Sequence, residues 1–345
     1  MRIAFVLGSY KPGACGMSDY VNLLSGELEK KNISCGRISI DLSKALSFSS
    51  LADDLPEADL ISLQFAPYAF STNGLSGAGL QKFGRAVRQK NLHVMFHEIW
   101  IGAYPRATWR EKCLGWRQKR EILKFLDHSK PQTINATNCA ALDRLKQQGV
   151  EANYLYMFGN IPFAPLCDDN LNKKHELKVA FFGTLYDSFP YPLLSRQLLS
   201  VSKTTRQAVR LLVLGRHREK SGLQALQNEA DKHDFKLEIT GELNSERLSH
   251  CFQESALGIC TTPFDIMGKS GATAAMLEHG LPILAYDDGD TPAKNLFISE
   301  PFQDQVFLLN KEDKSELLIK FINKQTRPIF NGVSHVGEKM LEAIL

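Results

Sequence analysis

The segment IAFVLGSYKPGACGMSDYVNLLSGELEKK, residues 3–31, begins with an apolar run, passes through a loop that contains Gly13 and Gly16, and ends in a stretch with helical periodicity. Because the apolar run has no alternating polar residues, it predicts a strand that is buried on both faces. A buried strand that leads into a helix favours parallel pairing with its neighbours. The segment therefore predicts an α/β fold built on a doubly wound parallel sheet.

The same alternation continues along the chain. Twelve apolar runs predict strands in two sets of six, at 2–7, 36–40, 58–63, 92–96, 132–134 and 152–156, then at 177–182, 209–214, 236–240, 256–260, 282–285 and 305–309. Between the sets, residues 158–174 carry two prolines and a polar stretch without periodicity, which is typical of a linker. We expect Rossmann-like domains at 1–172 and 173–325. The apolar positions of a C-terminal helix at 326–345 can cap either domain, and packing back on the N-terminal domain is one of the two options. Ligands bind beyond the carboxyl ends of strands in such sheets, so we expect the two domains to face a cleft.

Length and composition exclude several classes of protein. With 345 residues, 43% hydrophobic and 23% charged, the chain is globular and long enough for two domains. Its apolar runs fall far short of the ~18 residues of a membrane-spanning helix, and the first is too short for a signal peptide. Seven cysteines without CxxC spacing indicate reduced thiols, so we expect a cytoplasmic protein. A formal net charge of +3 predicts no nucleic-acid partner.

Glycines in the first loop allow the backbone to approach a ligand, and the helix after it favours an anion near Gly16. The loop lacks the G-x-G-x-x-G spacing of a dinucleotide site. The alternative is a flexible turn in which Ser18 caps the helix.

His97 and Glu98 follow the strand at 92–96, where its carboxyl end opens toward the expected cleft. A titratable pair at this place predicts contacts to substrate, and we take both as catalytic candidates. The alternative is that His97 is a structural histidine.

The stretch TTPFDIMGKSGATAAMLEHGLPILA, residues 261–285, carries the sharpest signal. Ser270, Gly271, Ala272 and Thr273 open a helix with small side chains, so its exposed N–H groups can meet a diphosphate, and Lys269 adds a positive charge. The alternative is an ordinary N-cap before a packed helix.

These segments, together with the opening GMSDYVNLLSGEL, resemble glycosyltransferase family 4, whose members are retaining enzymes with the two-domain GT-B fold. The resemblance implies that His97 contacts the donor sugar. It also implies that Gly183 and Thr184 lie in a phosphate-contacting loop, with Arg216 just past the next strand. Gly241 and Leu243 would then present backbone groups to the nucleobase.

The chain departs from the pattern of that family at four positions. Thr184 and Phe189 stand where an Arg and a Lys are usual, and Met267 and Ala275 stand where a pair of glutamates is usual. Asp265, two residues before Met267, is the candidate substitute for a glutamate.

The resemblance predicts transfer of a sugar from a nucleoside diphosphate donor, UDP or GDP, to a hydroxyl acceptor with retention at the anomeric carbon. The acceptor would be a glycan, a lipid-linked molecule or a small molecule. We expect no cofactor beyond the donor and no metal, because no Asp-x-Asp follows a strand. Two alternatives stay open: a sugar-nucleotide 2-epimerase of the same architecture, and an inactive donor-binding protein.

Residues 105–130 contain eight Lys or Arg and three Asp or Glu, a local excess of +5 that exceeds the net charge of the whole chain. Trp109 and Trp116 interleave with these charges. The pattern is typical of a helix that contacts an anionic membrane at the inner leaflet or a phosphate-bearing acceptor. The alternative is a solvated helix whose tryptophans face the core.

Overall fold

The computed structural model describes residues 1–13, 15–42, 58–103, 107–166, 176–216, 221–287, 302, 304–309, 312, 314–324 and 328–343. The chain forms two compact units. The first comprises Met1–Leu155 with Val333–Leu345, and the second comprises Tyr156–Gly332. The boundary that the sequence predicts, near residue 172, lies outside the described residues.

The first unit contains a six-stranded parallel sheet. Its strands are β1 (Arg2–Leu7), β2 (Ser34–Ser39), β3 (Leu60–Phe65), β4 (Leu92–Phe96), β5 (Thr133–Ala136) and β6 (Asn153–Tyr154), in the order β2-β1-β3-β4-β5-β6. The helices between them are α1 (Gly16–Lys30), α2 (Pro67–Phe70), α3 (Gly77–Ala86), α4 (Trp109–Ser129) and α5 (Cys139–Lys146). β1, β3 and β4 are almost wholly buried, as strands covered by helices on both faces must be.

The second unit repeats this plan. Its strands are β7 (Glu176–Phe182), β8 (Ala208–Leu214), β9 (Lys236–Gly241), β10 (Leu257–Cys260), β11 (Ile283–Tyr286) and β12 (Val306–Leu309), in the order β12-β11-β10-β7-β8-β9, all parallel. The helices are α6 (Tyr191–Thr205), α7 (Ser221–His233), α8 (Ser245–Glu254), α9 (Gly271–Glu278) and α10 (Ser315–Ile322). Read from β9, this is the strand order of a dinucleotide-binding Rossmann sheet.

The last helix, α11 (Gly332–Glu342), contacts α1 of the first unit. A Cβ on Gly337 would lie within 4 Å of the Leu24 and Leu28 side chains. Lys31 and Glu338 form an ion pair at 3.1 Å across the two helices.

All twelve predicted strands overlap an observed strand, and the prediction of a doubly wound α/β architecture is confirmed. None of the described helices combines the length and the apolar character that crossing a membrane requires.

Candidate functional site

The strand order of the second sheet reverses between β7 and β10. The chain continues from β7 to β8 on one side and from β10 to β11 on the other, so the loops after β7 and β10 diverge at the carboxyl edge. In parallel sheets this divergence leaves a crevice, and ligands bind there.

The loop after β7 lies directly against the first turn of α9. Gly183 has a φ of 92°, in the left-handed region that favours glycine, and a Cβ at this position would lie 2.7 Å from the Cβ of Ala272. The Thr261 hydroxyl, just after β10, donates to the Thr184 carbonyl at 2.6 Å and accepts from the Tyr186 amide at 3.3 Å. The structure thus brings together two segments that the sequence singled out separately.

Small residues form the N-terminus of α9. Ser270 is the N-cap, and its hydroxyl accepts a hydrogen bond from the Thr273 amide at 3.2 Å. Gly271 and Ala272 complete the first turn with no side chain beyond a methyl group, so no bulky group of their own covers the helix end. Helix N-termini carry partial positive charge and unsatisfied N–H groups, so this end of α9 suits an anion.

Lys269 and Asp265 belong to a short 3-10 helix, Phe264–Lys269, that leads into the cap. Both side chains are half-buried. Among the residues that the structure describes, no group of three His, Cys, Asp or Glu side chains is close enough to hold a metal ion.

The loops after β8 and β9 extend the same carboxyl edge. The Gly215 amide donates to the Gly241 carbonyl at 3.0 Å, and Leu243 follows, half-buried. The Arg216 guanidinium forms two hydrogen bonds to the Glu242 carboxylate, at 2.6 and 2.8 Å, with both side chains largely exposed. This carboxylate offsets the charge of Arg216 and occupies its Nε and Nη2 donors, which leaves Nη1 to donate to a phosphate.

At its other end, α9 carries a buried carboxyl group. Glu278 accepts a hydrogen bond from the Gly159 amide at 2.9 Å, and a Cβ on Gly332 would collide with its Oε1. Burial raises the pKa of Glu278 to about 8, so the group is largely protonated at pH 7. The adjacent His279 is also enclosed, with Nε2 2.9 Å from the Ser249 hydroxyl.

In the first unit, α1 begins at Gly16, with Cys15 at the N-cap position and no side-chain cap, so the expectation that Ser18 caps it is wrong. Ser18 instead lies in the first turn, where its hydroxyl donates to the Ser9 carbonyl at 3.0 Å and accepts from the Lys11 amide at 2.9 Å. The carboxylate of Asp19 accepts from the Gly13 amide at 2.6 Å. A negative charge therefore already lies at this helix end, which makes it less suited to phosphate than the start of α9. The donor-binding role of Gly16 stays a prediction.

His97 and Glu98 differ in burial. His97 follows β4 with only 7% of its surface exposed, whereas Glu98 is exposed. The His97 amide donates to the Phe65 carbonyl at 3.0 Å, and the His97 and Tyr20 rings pack in a T-shaped arrangement with the centroids 4.9 Å apart. His97 is thus fixed in the fold, as the structural interpretation of this residue expects, and the same contacts hold its ring in one orientation.

A chain of buried polar side chains runs across β3, β4 and β5 from His97. Its members all lie on one face of the sheet. Gln64 joins the first two contacts, from His97 Nε2 to Gln64 Oε1 at 2.8 Å and from Gln64 Nε2 to Ser62 Oγ at 2.8 Å. Ser62 Oγ then contacts His93 Nδ1 at 2.9 Å, His93 Nε2 contacts Asn135 Oδ1 at 3.0 Å, and Asn135 Nδ2 contacts the Asn153 carbonyl at 3.2 Å. The last acceptor is a backbone carbonyl, which can only accept. The bond from Asn135 to this carbonyl therefore determines which group donates and which accepts in every other hydrogen bond of the series.

The direction of the chain determines the tautomer of both histidines. Burial lowers the pKa values of His93 and His97 to about 4, so each ring is neutral at pH 7 and carries one proton. Since Asn135 donates to the carbonyl, its oxygen must accept from Nε2–H of His93, and Nδ1 of His93 then accepts from Ser62. Gln64 donates its Nε2–H to Ser62, so its Oε1 accepts from His97, and the proton of His97 lies on Nε2. Its Nδ1 lone pair is left to accept a hydrogen bond, and no side chain of the described residues donates to it.

The sequence reasoning missed four members of this chain. Ser62 and His93 lie inside the predicted strands at 58–63 and 92–96, and Gln64 and Asn135 lie just past the ends of those predicted at 58–63 and 132–134. Their signal is positional: the polar residues of β3 are two apart, and the parallel register pairs Ser62 with His93. Polar groups that share one face of a buried sheet must satisfy one another.

Comparison with known proteins decides the fold. Over 100% of this chain and 96% of the other, the structure is similar to HepE from Anabaena in complex with UDP, with a TM-score of 0.58 and 14% identity. It is similar over 100% of this chain and 94% of the other to sucrose-phosphate synthase from Thermosynechococcus elongatus, with a TM-score of 0.58 and 13% identity. The chain has the GT-B fold.

A third similar structure belongs to a different class of enzyme. It is a Listeria monocytogenes protein assigned as a UDP-N-acetylglucosamine 2-epimerase, matched over 99% of this chain and 95% of the other with a TM-score of 0.55 and 11% identity. No protein-family profile and no curated protein sequence matches the chain. At these identities the likeness shows the fold and leaves the reaction to be proposed.

Proposed function

We propose that this protein is a glycosyltransferase that takes a sugar from a nucleoside diphosphate donor and transfers it to a hydroxyl group. The observation that carries the proposal is the contact between the Gly183 loop and the first turn of α9 at the reversal point of the second sheet. Two backbone segments without bulky side chains meet where a parallel sheet binds ligands. Structures with this fold were determined with UDP bound, which favours a uridine nucleotide.

The diphosphate would bind at the N-terminus of α9. The amides of Gly271 and Ala272 supply donors, the helix dipole supplies partial positive charge, and Lys269 supplies a full charge beside them. When the sugar leaves, negative charge accumulates on the diphosphate, so groups that are already oriented there stabilise the leaving group. In this proposal no cofactor and no metal take part.

His97 would bind a hydroxyl group of the sugar. Its ring is neutral, and the hydrogen-bond chain leaves Nδ1 as an acceptor, so a sugar hydroxyl can donate to it. Glu98 is exposed next to it and is the second polar candidate. Transfer would then depend on positioning and leaving-group stabilisation, and we assign no protein nucleophile. Retention at the anomeric carbon rests on the sequence resemblance to family 4.

A sugar-nucleotide 2-epimerase is the second candidate, because a protein assigned to that class has the same fold. Epimerisation at a carbon requires acid and base groups beside the sugar. Asp265 is the carboxylate nearest in sequence to the start of α9, whereas Glu278 lies seven residues along that helix and is held by Gly159. The start of α9 thus has one carboxylate near it in sequence, whereas epimerisation needs both an acid and a base, so we favour transfer.

Incubation with donors labelled in the sugar distinguishes these functions. We would use UDP-glucose, UDP-N-acetylglucosamine and GDP-mannose, each with lipid-linked and soluble hydroxyl acceptors. Label on an acceptor together with free nucleoside diphosphate supports transfer. Label in an epimeric donor supports the second candidate, and donor binding with unchanged donor identifies an inactive binding protein.

A further inference from the structure

Helix α4 has one face that packs into the first unit. Its buried residues are Gly115, Gln118, Ile122, Phe125, Leu126 and Ser129. Phe125 stacks on Phe83 of α3 with the centroids 6.3 Å apart, and the Gln118 amide donates to the Gly74 carbonyl at 3.1 Å. These contacts fix which side of α4 faces outward.

The outward side combines aromatic and cationic groups. Trp109 is 76% exposed and Trp116 is 54% exposed, so the expectation that these tryptophans face the core is wrong. They are seven residues apart, which places them on one side of a helix. The exposed cations of this side are Arg110, Lys112, Arg117, Arg120 and Lys124, and Cys113 is exposed among them. We name the two tryptophans and these five cations the α4 cationic face.

Acidic side chains offset little of this charge. On the exposed side of α4 within the described residues, the acidic side chain is Asp127, and it forms an ion pair with Lys130 at 2.7 Å. Arg120 lies over the Trp116 ring, 4.8 Å from its centroid, so a cation and an exposed indole are in direct contact on this side.

We propose that the α4 cationic face binds membranes that contain anionic phospholipids. Lys and Arg are attracted to the negative surface potential of such a leaflet, and Trp side chains favour the interface between headgroups and hydrocarbon. A solvated helix needs neither of two exposed indoles, whereas a membrane surface accommodates both. Nucleic acid shares the phosphate chemistry, and the test below includes it as a contrary outcome. This inference does not depend on the proposed transferase activity.

Cosedimentation with vesicles tests whether the cations of the α4 cationic face are responsible for membrane binding. Full-length protein is mixed with vesicles of phosphatidylcholine alone, or of phosphatidylcholine and phosphatidylglycerol in equal parts, at about 0.05 M and about 0.5 M salt. The test variant is Arg117→Gln/Arg120→Gln/Lys124→Gln. The matched control is Lys203→Gln/Lys236→Gln/Lys320→Gln, which removes the same number of exposed cations from the second unit.

We expect salt-sensitive binding to the anionic vesicles only, on the order of 100-fold weaker for the test variant and little changed for the control. Equal weakening in both variants would show that net charge alone attracts the protein, and would overturn the proposal. Absence of vesicle binding by the wild type, or displacement of vesicles by duplex DNA in the same buffer, would also overturn it.

Tryptophan fluorescence tests independently whether Trp109 and Trp116 enter the membrane interface. Two of the three tryptophans lie on the face, and the third, Trp100, is only 7% exposed. Anionic vesicles should shift the emission to shorter wavelength, and Trp109→Gln/Trp116→Gln should abolish the shift. An unchanged wild-type spectrum at saturating vesicle would show that the indoles do not enter the interface. Circular dichroism melting confirms that each variant folds.

Discussion

At the scale of single residues, His97 is the side chain whose chemistry the fold controls most tightly. Its backbone, its ring and one ring nitrogen are held by Phe65, Tyr20 and Gln64 respectively. A residue held in this way is either a part of the core or an oriented hydrogen-bond acceptor for substrate. The turnover and UDP affinity of a His97 variant distinguish the two roles.

His97→Ala should lower turnover by roughly 10- to 100-fold while leaving the dissociation constant for UDP nearly unchanged. The reason is that the proposed bond goes to the sugar, whereas UDP contacts the second unit. Initial rates with labelled donor and calorimetry with UDP measure the two quantities. A loss of UDP affinity equal to the loss of turnover, or a lower melting temperature that accounts for both, would assign His97 to the core.

Gln64→Glu tests the orientation of the hydrogen-bond chain. A carboxylate at this position faces Nε2 of His97 and favours the charged ring, so the pKa of His97 should rise from about 4 to above its ordinary 6.5. Gln64→Leu, which breaks the chain without adding charge, should leave the ring neutral at pH 7. Imidazole nitrogen shifts followed by NMR against pH report the protonation. In the wild type they should show the proton on Nε2, and a proton on Nδ1 would contradict the chain as described.

At the scale of elements, the close approach of the β7 loop to α9 depends on Gly183. Gly183→Ala adds a methyl group 2.7 Å from the Cβ of Ala272 and also strains a positive φ. We expect a loss of about 2–4 kcal/mol in the free energy of unfolding, from the strain and the collision together.

Gly149→Ala is the matched control, since Gly149 has a φ of 73° but nothing lies within 4 Å of its added Cβ. It should cost about 1–2 kcal/mol, the strain alone. Ala272→Gly in the Gly183→Ala background should recover the part due to the collision. Denaturant titrations measure these three variants and Ala272→Gly alone. Additive effects of Gly183→Ala and Ala272→Gly would show that the two segments do not touch.

Glu278 makes the stability of the second unit depend on pH. Its pKa is about 8 in the folded protein against 4.5 for the ordinary group, so its contribution to stability is complete below about pH 4.5 and is lost as the pH rises through 8. Glu278→Gln keeps an oxygen for the Gly159 amide and cannot ionise. The variant should therefore gain stability relative to the wild type across this window, by at most about 1.4 kcal/mol per pH unit.

Unfolding by urea at several pH values from 5 to 9 would measure the difference between the two proteins. Parallel curves for wild type and Glu278→Gln would mean that the carboxyl group ionises normally in the folded state.

Elements were more predictable than the contacts between side chains. Strands such as β1 and β7 follow from apolar runs because burial on both faces leaves a strong pattern in the sequence. The alternative interpretation of the first loop makes Ser18 the cap of α1 because serine is a typical cap, whereas in the structure its hydroxyl binds the loop backbone instead. The chain from Gln64 to Asn135 joins residues distant in sequence, and it becomes visible only when the register of β3, β4 and β5 is known.

At the scale of the whole molecule, both units place their candidate residues at the carboxyl edges of parallel sheets. His97 follows β4 in one sheet, and Gly183 and Ser270 follow β7 and β10 in the other. Because the sheets were predictable from the sequence, so was this placement. The substrate depends on side-chain directions at these edges. The sequence departs there from the family it resembles, at Thr184 in a loop, at Met267 in the short 3-10 helix and at Ala275 in α9.

In our proposal, a nucleoside diphosphate binds where the Gly183 loop meets the start of α9. Titration of isotope-labelled full-length protein with UDP, followed through backbone amide shifts, measures this directly. We expect the largest shifts at Gly183, Gly271 and Ala272, with Lys269→Ala weakening the fitted affinity by about 1–3 kcal/mol and Lys203→Ala leaving it unchanged. Saturable UDP binding that leaves these amides unmoved, or no binding at all, would contradict the claim.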